Sequence, residues 1–501
     1  MNKLTIGLLA TVLGALAAPA QAQAPAKKAP ARPIKKTTAK ATTRAGGVAN
    51  AVAAQAPTAP KEAPPVGRAP RDFALPAKEE FVLENGLQAR LVPYGQVPKV
   101  TMMVAVQAGN VHEGPDEVYL ADLLAKLMNE GTATLSATQL AEKVAAMGGS
   151  LSISAGSDQT YLWASCLSEY APQLATLLAD VVQHPALPAS EVARLKTDMK
   201  RQANLSRSYP STQARQKFTA AIYGDHPYGR PIPTDAQLDA LTLEQVQNFY
   251  KTQFGAQRTS VYVAGRFDAP ALRQALTAAW GPWAKGPAPR IEAAKPLTRA
   301  QVLTQDRPSA PQSTLVVGLP AADPTNPDYI RLRVMNSLLG GSFGSRITRN
   351  IREDKGYTYS PYSSVGTHYH TGDWSETADV TTKDTYNSLH EIVNEIERLQ
   401  KTPPSADELK GIQNYESGMF VLRNSNPGGI ISQLNTLDLQ GLPDTFLTEQ
   451  VKNINAVTPE QVSATARKYV RPEAMTIVVV GDQKVVAPQI KKFQDSLKKP
   501  L

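Results

Sequence analysis

Apolar and polar positions along this chain follow two periods, and the segments they mark come in matching sets. Phe81 to Val92 is two strand-like runs around Asn85-Gly86, which predicts a hairpin. Lys99–Val106 follows as another strand. Thr242-Leu-Glu-Gln-Val246 reads as a helix start, a Thr cap followed by an acid. The β-branched and aromatic run Val261–Gly265 then predicts a strand. The same order returns in Thr458-Pro-Glu-Gln-Val462, with Pro at the first helical position, and the strand Ile477–Gly481. Thr and Gly are 23 residues apart in each copy, and the copies lie 216 residues apart. Ser313–Leu319 predicts the strand that answers Lys99–Val106, before a long helix near Pro327–Leu339. Each half thus mixes strands with helices, and the fold class expected is α+β, one α/β plan used twice. Gly281–Pro308 contains five prolines and reads as the connection between the halves. The domains expected are 73–283, a linker at 284–308, and 309–490.

The first seventy residues change the picture of a globular chain. Residues 1–22 have the form of a signal peptide: Lys3, an apolar run from Leu4 to Ala18, and the small-x-small site Ala20-Gln21-Ala22. That run is short for a membrane span, and no Cys follows it, so no stable membrane insertion is expected. Residues 23–72 are rich in Ala, Pro, Lys and Thr, a composition that buries too little surface to offset its ordering entropy and predicts a disordered linker. The expected location is the periplasm, or beyond the cell by secretion.

The formal net charge of the whole chain is +9. Between Gln23 and Arg71 stand ten basic residues and one acid, Glu62, and Lys3 adds one more cation. The rest of the chain is therefore nearly neutral, and nucleic acid loses its support as a partner. Cys166 is the single cysteine, which excludes an intramolecular disulfide and a Cys-based zinc cluster. Its apolar, alternating surroundings (Tyr161–Leu167) predict a buried strand thiol.

Three stretches carry a resemblance: His226-Pro-Tyr-Gly-Arg-Pro231, Asn129-Glu-Gly-Thr132 leading to Met147-Gly-Gly149, and Leu338-Leu-Gly-Gly-Ser-Phe-Gly-Ser-Arg346 with Arg352-Glu-Asp-Lys-Gly-Tyr-Thr-Tyr359. From about Phe81 to Asp482 the chain resembles the insulinase/pitrilysin family of zinc metallopeptidases, especially its short bacterial members. The resemblance implies two homologous halves closing like a clam around a peptide.

Active members carry His-x-x-Glu-His on a helix. Residues at i and i+4 share a face, so both imidazoles reach one zinc, and the Glu activates the metal-bound water. Here the matching helix, Glu117–Met128, has Asp122 and Lys126 at the His positions and Ala125 at the Glu position. The region matching a third ligand, around Lys200-Arg201-Gln202, has no carboxylate, and Asp198 is the nearest. No metal is expected in this chain. Asp122 and Lys126 are spaced either for an ion pair across the emptied site or as two unrelated solvent-facing charges. Of the six histidines, His368 and His370 are spaced to share a strand face, and two surface histidines are the expectation. His390-Glu391 does not complete the motif, and His226 reads as a structural turn. No Gly-x-Ser-x-Gly elbow is present.

Arg352 and Tyr359 match the family's second-half Arg/Tyr pair. By the resemblance they reach across the chamber and donate hydrogen bonds to the substrate carbonyl, assisting where an oxyanion develops. Some members divide the labour between two chains, one bringing zinc and the other the Arg/Tyr pair. This sequence is similar to the second kind. The implied assembly is a heterodimer with a zinc-bearing insulinase-family subunit, zinc lying in the partner, and a peptide substrate adding to a sheet edge, with Met147–Ile153 as that edge. A scaffold protein on the same fold, or a stand-alone peptidase with a rebuilt site, are the alternatives.

Overall fold

The computed structural model describes residues 73–497, in which the strand-like runs pair into two mixed sheets. The expected signal peptide at 1–22 and the tail at 23–72 lie outside the described residues. The first sheet contains β1 (Glu79–Val82), β2 (Gln88–Pro93), β3 (Lys99–Val106), β4 (Ser150–Ala155), β5 (Thr160–Leu167) and β6 (Thr259–Gly265) in the order β1-β2-β6-β3-β5-β4. The second contains β7 (Gln301–Asp306), β8 (Gln312–Ala321), β9 (Tyr362–His368), β10 (Thr371–Thr381) and β11 (Thr476–Gly481) in the order β7-β11-β8-β10-β9. Apart from β1, the two orders are the same. In each sheet one pair is parallel, β2 with β6 and β7 with β11, and the rest are antiparallel. β7 falls inside 284–308, so the stretch expected to be only a connection supplies the second sheet's counterpart of β2. The Asn85-Gly86 turn closes β1 on β2, with Gly86 at φ 91, where a side chain would be strained.

The first half carries helices α1 (Leu120–Met128), α2 (Ala137–Ala146), α3 (Ala171–Gln183), α4 (Ala189–Ser208), α5 (Pro210–Tyr223), α6 (Asp235–Ala240), α7 (Leu243–Gln253) and α8 (Ala269–Trp280). The second carries α9 (Tyr329–Asn336), α10 (Thr385–Lys401), α11 (Ala406–Arg423), α12 (Pro427–Gln440), α13 (Thr445–Thr448), α14 (Gln450–Asn455), α15 (Pro459–Tyr469) and α16 (Gln483–Leu497). α7 and α15 open with the same capping box: Thr242 and Thr458 accept the backbone N–H of Gln245 and Gln461, whose side chains reach back to the Thr N–H. The residue closing each box is the Gln, one place after the acid that the sequence suggested.

The central strands are apolar on both faces because both faces are covered. On β3 and β6, Met102, Val104, Val261 and Val263 enter the core formed with the first half's own helices. Met103, Ala105, Tyr262 and Ala264 enter a different core, built with Ile430, Ile431, Leu434 and Leu437 of α12. The second sheet answers in kind. Leu315, Val317, Ile477 and Val479 face its own helices, while Val316, Val478 and Val480 pack on Ala214, Phe218 and Ile222 of α5. Each half thus lends one helix to the other's sheet. Gly318 makes room for the loan, since a Cβ there would lie 2.8 Å from the Phe218 ring. Burying a side chain such as Phe218 contributes about 1.5–3 kcal/mol, so the exchanged helices bind the halves together.

Polar contacts finish this seam where the β4–β5 and β9–β10 turns approach each other. Asn435 Nδ2 donates to Gln159 Oε1 at 3.0 Å, and Gln440 Nε2 donates to the His368 carbonyl at 3.0 Å. The Tyr228 hydroxyl donates to the buried Asp158, and its ring stacks on His368 with centroids 4.1 Å apart. Arg215 of α5 pairs with Asp373 of β10 at 3.0 Å, and the Asp373 carboxylate is fully buried.

Candidate functional site

The helix that matches the metal-binding helix of active peptidases, α1, begins at Tyr119, which holds a left-handed conformation with φ 72. No side chain of Tyr119 caps it. Glu113 does so from the preceding loop: Oε1 accepts the Ala121 N–H at 2.9 Å and Oε2 the Tyr119 N–H at 3.1 Å. A carboxylate on exposed N-terminal amides favours the helix. Burial nevertheless pushes Glu113 up to about 7, against the pull of Asn110 and these amides.

Asp122 and Lys126 do not form the ion pair that their spacing allows; no such contact within 4.0 Å exists among the described residues. Nor are they freely solvent-facing, since both are half-buried. Side chains on a helix lean toward its N-terminus, so Asp122 turns to the loop before α1 and accepts Asn110 Nδ2 at 2.7 Å. The same Asn110 amide donates to Glu113 at 2.9 Å. Burial raises the Asp122 pKa, with the Asn110 bond and the Lys126 charge opposing. Ala125 is a buried methyl in the core.

α4 packs against α1, as a helix supplying a third ligand would. Its buried residues are Leu195, Met199 and Ala203. Lys200 turns to Asp239 at 2.7 Å, and Arg201 to Asp198 at 3.3 Å, so Asp198 is already engaged. A carboxylate held by an amide, a methyl and an ammonium do not fit a zinc ion. Among the described residues no three His, Cys, Asp or Glu side chains are grouped to hold a metal.

His226 and His368 both lie against the Tyr228 ring, with centroids 4.4 and 4.1 Å away. His112 and His226 meet the Arg290 and Glu292 carbonyls through Nε2, and His226 also caps the short helical turn Pro227–Gly229. His368 and His370 do not share a strand face. β9 ends at His368, and His370, at φ 49, forms the hairpin turn. His370 is exposed, while His368 is half-buried against the Tyr228 ring. Cys166 is fully buried on β5, and burial pushes its thiol up to about 11.

The second half brings Arg352 and Tyr359 together. Arg352 lies on a π-helical turn, Thr348–Asp354, the kind of widened turn often found at functional sites. Tyr359 follows a segment pinned to β10, where the Thr381 N–H donates to the Tyr357 carbonyl at 3.0 Å and Thr358 Oγ1 to the Asp379 carbonyl at 2.7 Å. The Arg352 guanidinium lies 5.3 Å from the Tyr359 ring centroid and 4.2 Å from that of Phe343. Both rings are largely exposed, Phe343 at 71% and Tyr359 at 79%. Arg352 has no carboxylate or hydrogen-bond partner among the described residues. Two aromatic faces hold its plane while its N–H edge stays free. The motif alone gives Phe343 no role; an aromatic in a Gly-rich stretch just before an Arg is the one signal in the sequence that points to it.

The second half also fills its own counterpart of the metal position. Arg333 and Ser337, spaced i and i+4 at the end of α9, both reach Glu416 of α11, the counterpart of α4. Arg333 Nη2 donates to Oε2 at 2.9 Å, and the Ser337 hydroxyl donates to Oε1. Laying the repeat on itself at Asp122 and Arg333 would have found this trio. Beside Gly340, Glu376 of β10 is wholly buried, with the Tyr362 backbone N–H near it but no well-formed hydrogen bond to either oxygen, and burial raises its pKa well above the usual range.

Residues 93–236 match the insulinase family (peptidase family M16), and residues 240–415 match the peptidase M16 inactive domain. A Bacillus subtilis protein named as an uncharacterized zinc protease is 24% identical over 392 residues, 78% of this chain and 95% of its own length. A crystal structure of a peptidase M16 inactive domain from Pseudomonas fluorescens aligns with a TM-score of 0.74 at 23% identity, over 81% of this chain and 98% of that one. That of a protease from Helicobacter pylori aligns with a TM-score of 0.76 at 17% identity, over 81% of this chain and all of that one.

Proposed function

This chain belongs to the insulinase family, peptidase family M16, without the His-x-x-Glu-His motif, and on that premise we propose that it is the non-catalytic subunit of a two-chain zinc peptidase. The observation that carries the reading is the Arg352 guanidinium, held between Phe343 and Tyr359 with its hydrogen-bonding edge unclaimed. An unpaired, oriented guanidinium beside a free phenol suits a carbonyl oxygen that gains charge during attack. The helix α1, where the hydrolytic chemistry would otherwise lie, offers no general base. Zinc and its water therefore belong to a partner subunit of the same family, and this chain grips the peptide. β4 is an edge strand of the first sheet, which suits a peptide adding as a further strand. Residues 1–22 support export, with the periplasm as the place of action.

The test is cleavage of a quenched fluorescent peptide by this chain alone, and by this chain mixed with a zinc-bearing family member encoded beside it. Activity is expected only in the mixture. Arg352→Ala, and to a lesser degree Tyr359→Phe, should lower kcat by about 100-fold, the usual loss when one oxyanion donor is removed. Chelator-sensitive cleavage by the lone chain would refute the proposal. A mixture that cleaves equally well with both variants would leave a scaffolding role in its place.

A further inference from the structure

The first sheet has a strand that the second lacks. β1 lies outside β2, whereas among the described residues no strand lies outside β7, the counterpart of β2. The registers match the two edges residue by residue. Pro93 pairs with Gly265 and Asp306 with Gly481, so Ala89 and Leu91 of β2 correspond to Val302 and Thr304 of β7. Ala89 and Leu91 stand opposite Phe81 and Glu79 of β1. In a parallel pair, alternate residues bond to the neighbouring strand. The N–H groups of Gln301 and Arg307 turn to β11, where the Met475 and Gly481 carbonyls accept them at 3.2 and 2.9 Å. Val302 and Thr304, one place out of step, turn their N–H and C=O groups to the open side, where no backbone group among the described residues meets them. An unpaired edge of this kind is a template for another strand.

The side chains beside the edge indicate the charge of the strand it would take. Two adjoining cavities, of about 560 and 370 Å³, follow the flank of α5 along β7. Gln301 and Leu303 line the first, Gln305 the second, and Lys217 both. The first also has Lys295 and Arg299, both exposed, and none of these three cations has an ion pair among the described residues. Asp225 is the one acid among the described residues lining it. Arg207, at the second, is already held by Asp235 at 2.6 Å. The first sheet shows the same place filled. Arg90 of β2 corresponds to Leu303, and Glu80 of β1, directly opposite Arg90, pairs with it at 3.2 Å. There the added strand brings an acid to a base. On the second sheet the bases stand on α5 and on the segment before β7. We propose that the free edge of β7 docks an extended acidic segment of a partner protein, which adds antiparallel as β1 does and turns its carboxylates to Lys217, Lys295 and Arg299. Residues 23–71 of this chain, with ten bases and one acid, carry the wrong charge to fill the place. The free N–H and C=O groups favour a polypeptide over other polyanions. The inference does not depend on the peptidase reading, whose peptide adds to β4 of the other sheet.

The test is fluorescence anisotropy of a labelled peptide of alternating glutamate and valine, six residues long to match β7. One comparison replaces its glutamates by lysine. The other is N-methylated at the valines, which would stand opposite Val302 and Thr304. Saturable binding of the glutamate peptide is expected, with each comparison about five-fold weaker or more. Thr304→Pro removes an outward N–H and leaves the ladder to β11 intact, so the variant should fold and bind the glutamate peptide weakly by a similar factor. Lys295→Glu and Arg299→Glu together, at exposed positions, should weaken the glutamate peptide and strengthen the lysine one. Circular dichroism and the melting temperature establish that the variants are folded, and the charge reversal decides the matter if Thr304→Pro is not. Failure of the glutamate peptide to bind would overturn the proposal. Equal binding of the N-methylated peptide would reduce the site to adhesion by charge. Undiminished binding to folded Thr304→Pro or to the charge-reversed variant would place the peptide elsewhere, β4 included. Self-association of the chain that Thr304→Pro abolishes, without peptide binding, would give the edge to a second copy instead.

Discussion

Replacing Glu376 by Met should stabilise the protein, by an amount that grows with pH. Glu376 is fully buried on β10 beneath Gly340; the Tyr362 backbone N–H lies near its carboxyl, but neither oxygen makes a well-formed hydrogen bond. The space is tight: a Cβ on Gly340 would lie 2.5 Å from Oε2. Leaving a buried polar group unsatisfied costs about 1–3 kcal/mol, and Met fills a similar volume without that cost. Burial holds the folded-state pKa well above the ordinary glutamate value. Below about pH 4.3 the carboxyl is protonated in folded and unfolded chains alike, and only the first cost counts. Above it the unfolded chain releases the proton while the folded chain keeps it, so stability falls as pH rises towards the folded pKa. Each pH unit in that window takes away about 1.4 kcal/mol. The advantage of Glu376→Met should therefore be about 1–3 kcal/mol near pH 4 and should widen as pH rises towards the folded pKa. Urea unfolding of wild type and variant at pH 4.5, 5.5 and 6.5 measures it, with Glu376→Gln as a control that removes the pH dependence but keeps a polar group. Other titrating residues cancel in the difference. A gap between wild type and variant that stayed constant with pH would refute the reasoning, because Glu376 would then titrate alike in both states.

Other substitutions probe the seam and the emptied metal position. Tyr228→Phe removes the only hydrogen-bond donor to the buried Asp158 among the described residues, and a loss of about 1–3 kcal/mol is expected by thermal unfolding; an unchanged melting temperature would mean that water serves Asp158 equally well. Cys166, buried and with its thiol pushed up to about 11, should resist thiol reagents at pH 8 in the native protein and react fully once denatured. Rapid native labelling would place it at the surface instead. Rebuilding the motif with Asp122→His, Ala125→Glu and Lys126→His together should not yield a chain that retains one zinc through dialysis, since the buried residues of α4, Leu195, Met199 and Ala203, include no carboxylate. Stoichiometric zinc in that variant would reveal an overlooked third ligand.

The repeat was legible because its marks are local. Thr242 and Thr458 sit before helices in the same register, and the strands after them are unbroken β-branched runs. The missing zinc motif was legible for the same reason, as it depends on i and i+4 positions within one helix. What the sequence could not convey was which surface meets which. Ala214, Phe218 and Ile222 form an evident apolar stripe on α5, yet nothing in that stripe says that it covers the second sheet. β7 was passed over because Gln301-Val-Leu-Thr-Gln-Asp306 is mostly polar and follows a proline-rich stretch; its strand character comes from pairing with β11. Spacing leaves Asp122 either paired with Lys126 or facing solvent, whereas the lean of the side chain gives it to Asn110, a residue of the preceding loop. The aromatic clasp on Arg352 needed Phe343 and Tyr359 to be folded onto one turn.

The exchange of α5 and α12 bears on how such a chain came to exist and why it persists. A single half, left to itself, would have one sheet face uncovered and one helix with nothing to cover. It could meet both needs by pairing with a copy of itself about a two-fold axis, each copy handing its helix across. The present molecule has the form of such a pair joined end to end, with the joint now supplying β7. Once joined, the copies are free to diverge in chemistry but not in shape, because each remains the other's lining. A half that loses its catalytic residues can decay in function without becoming dispensable, and its fold is kept under selection by its sibling.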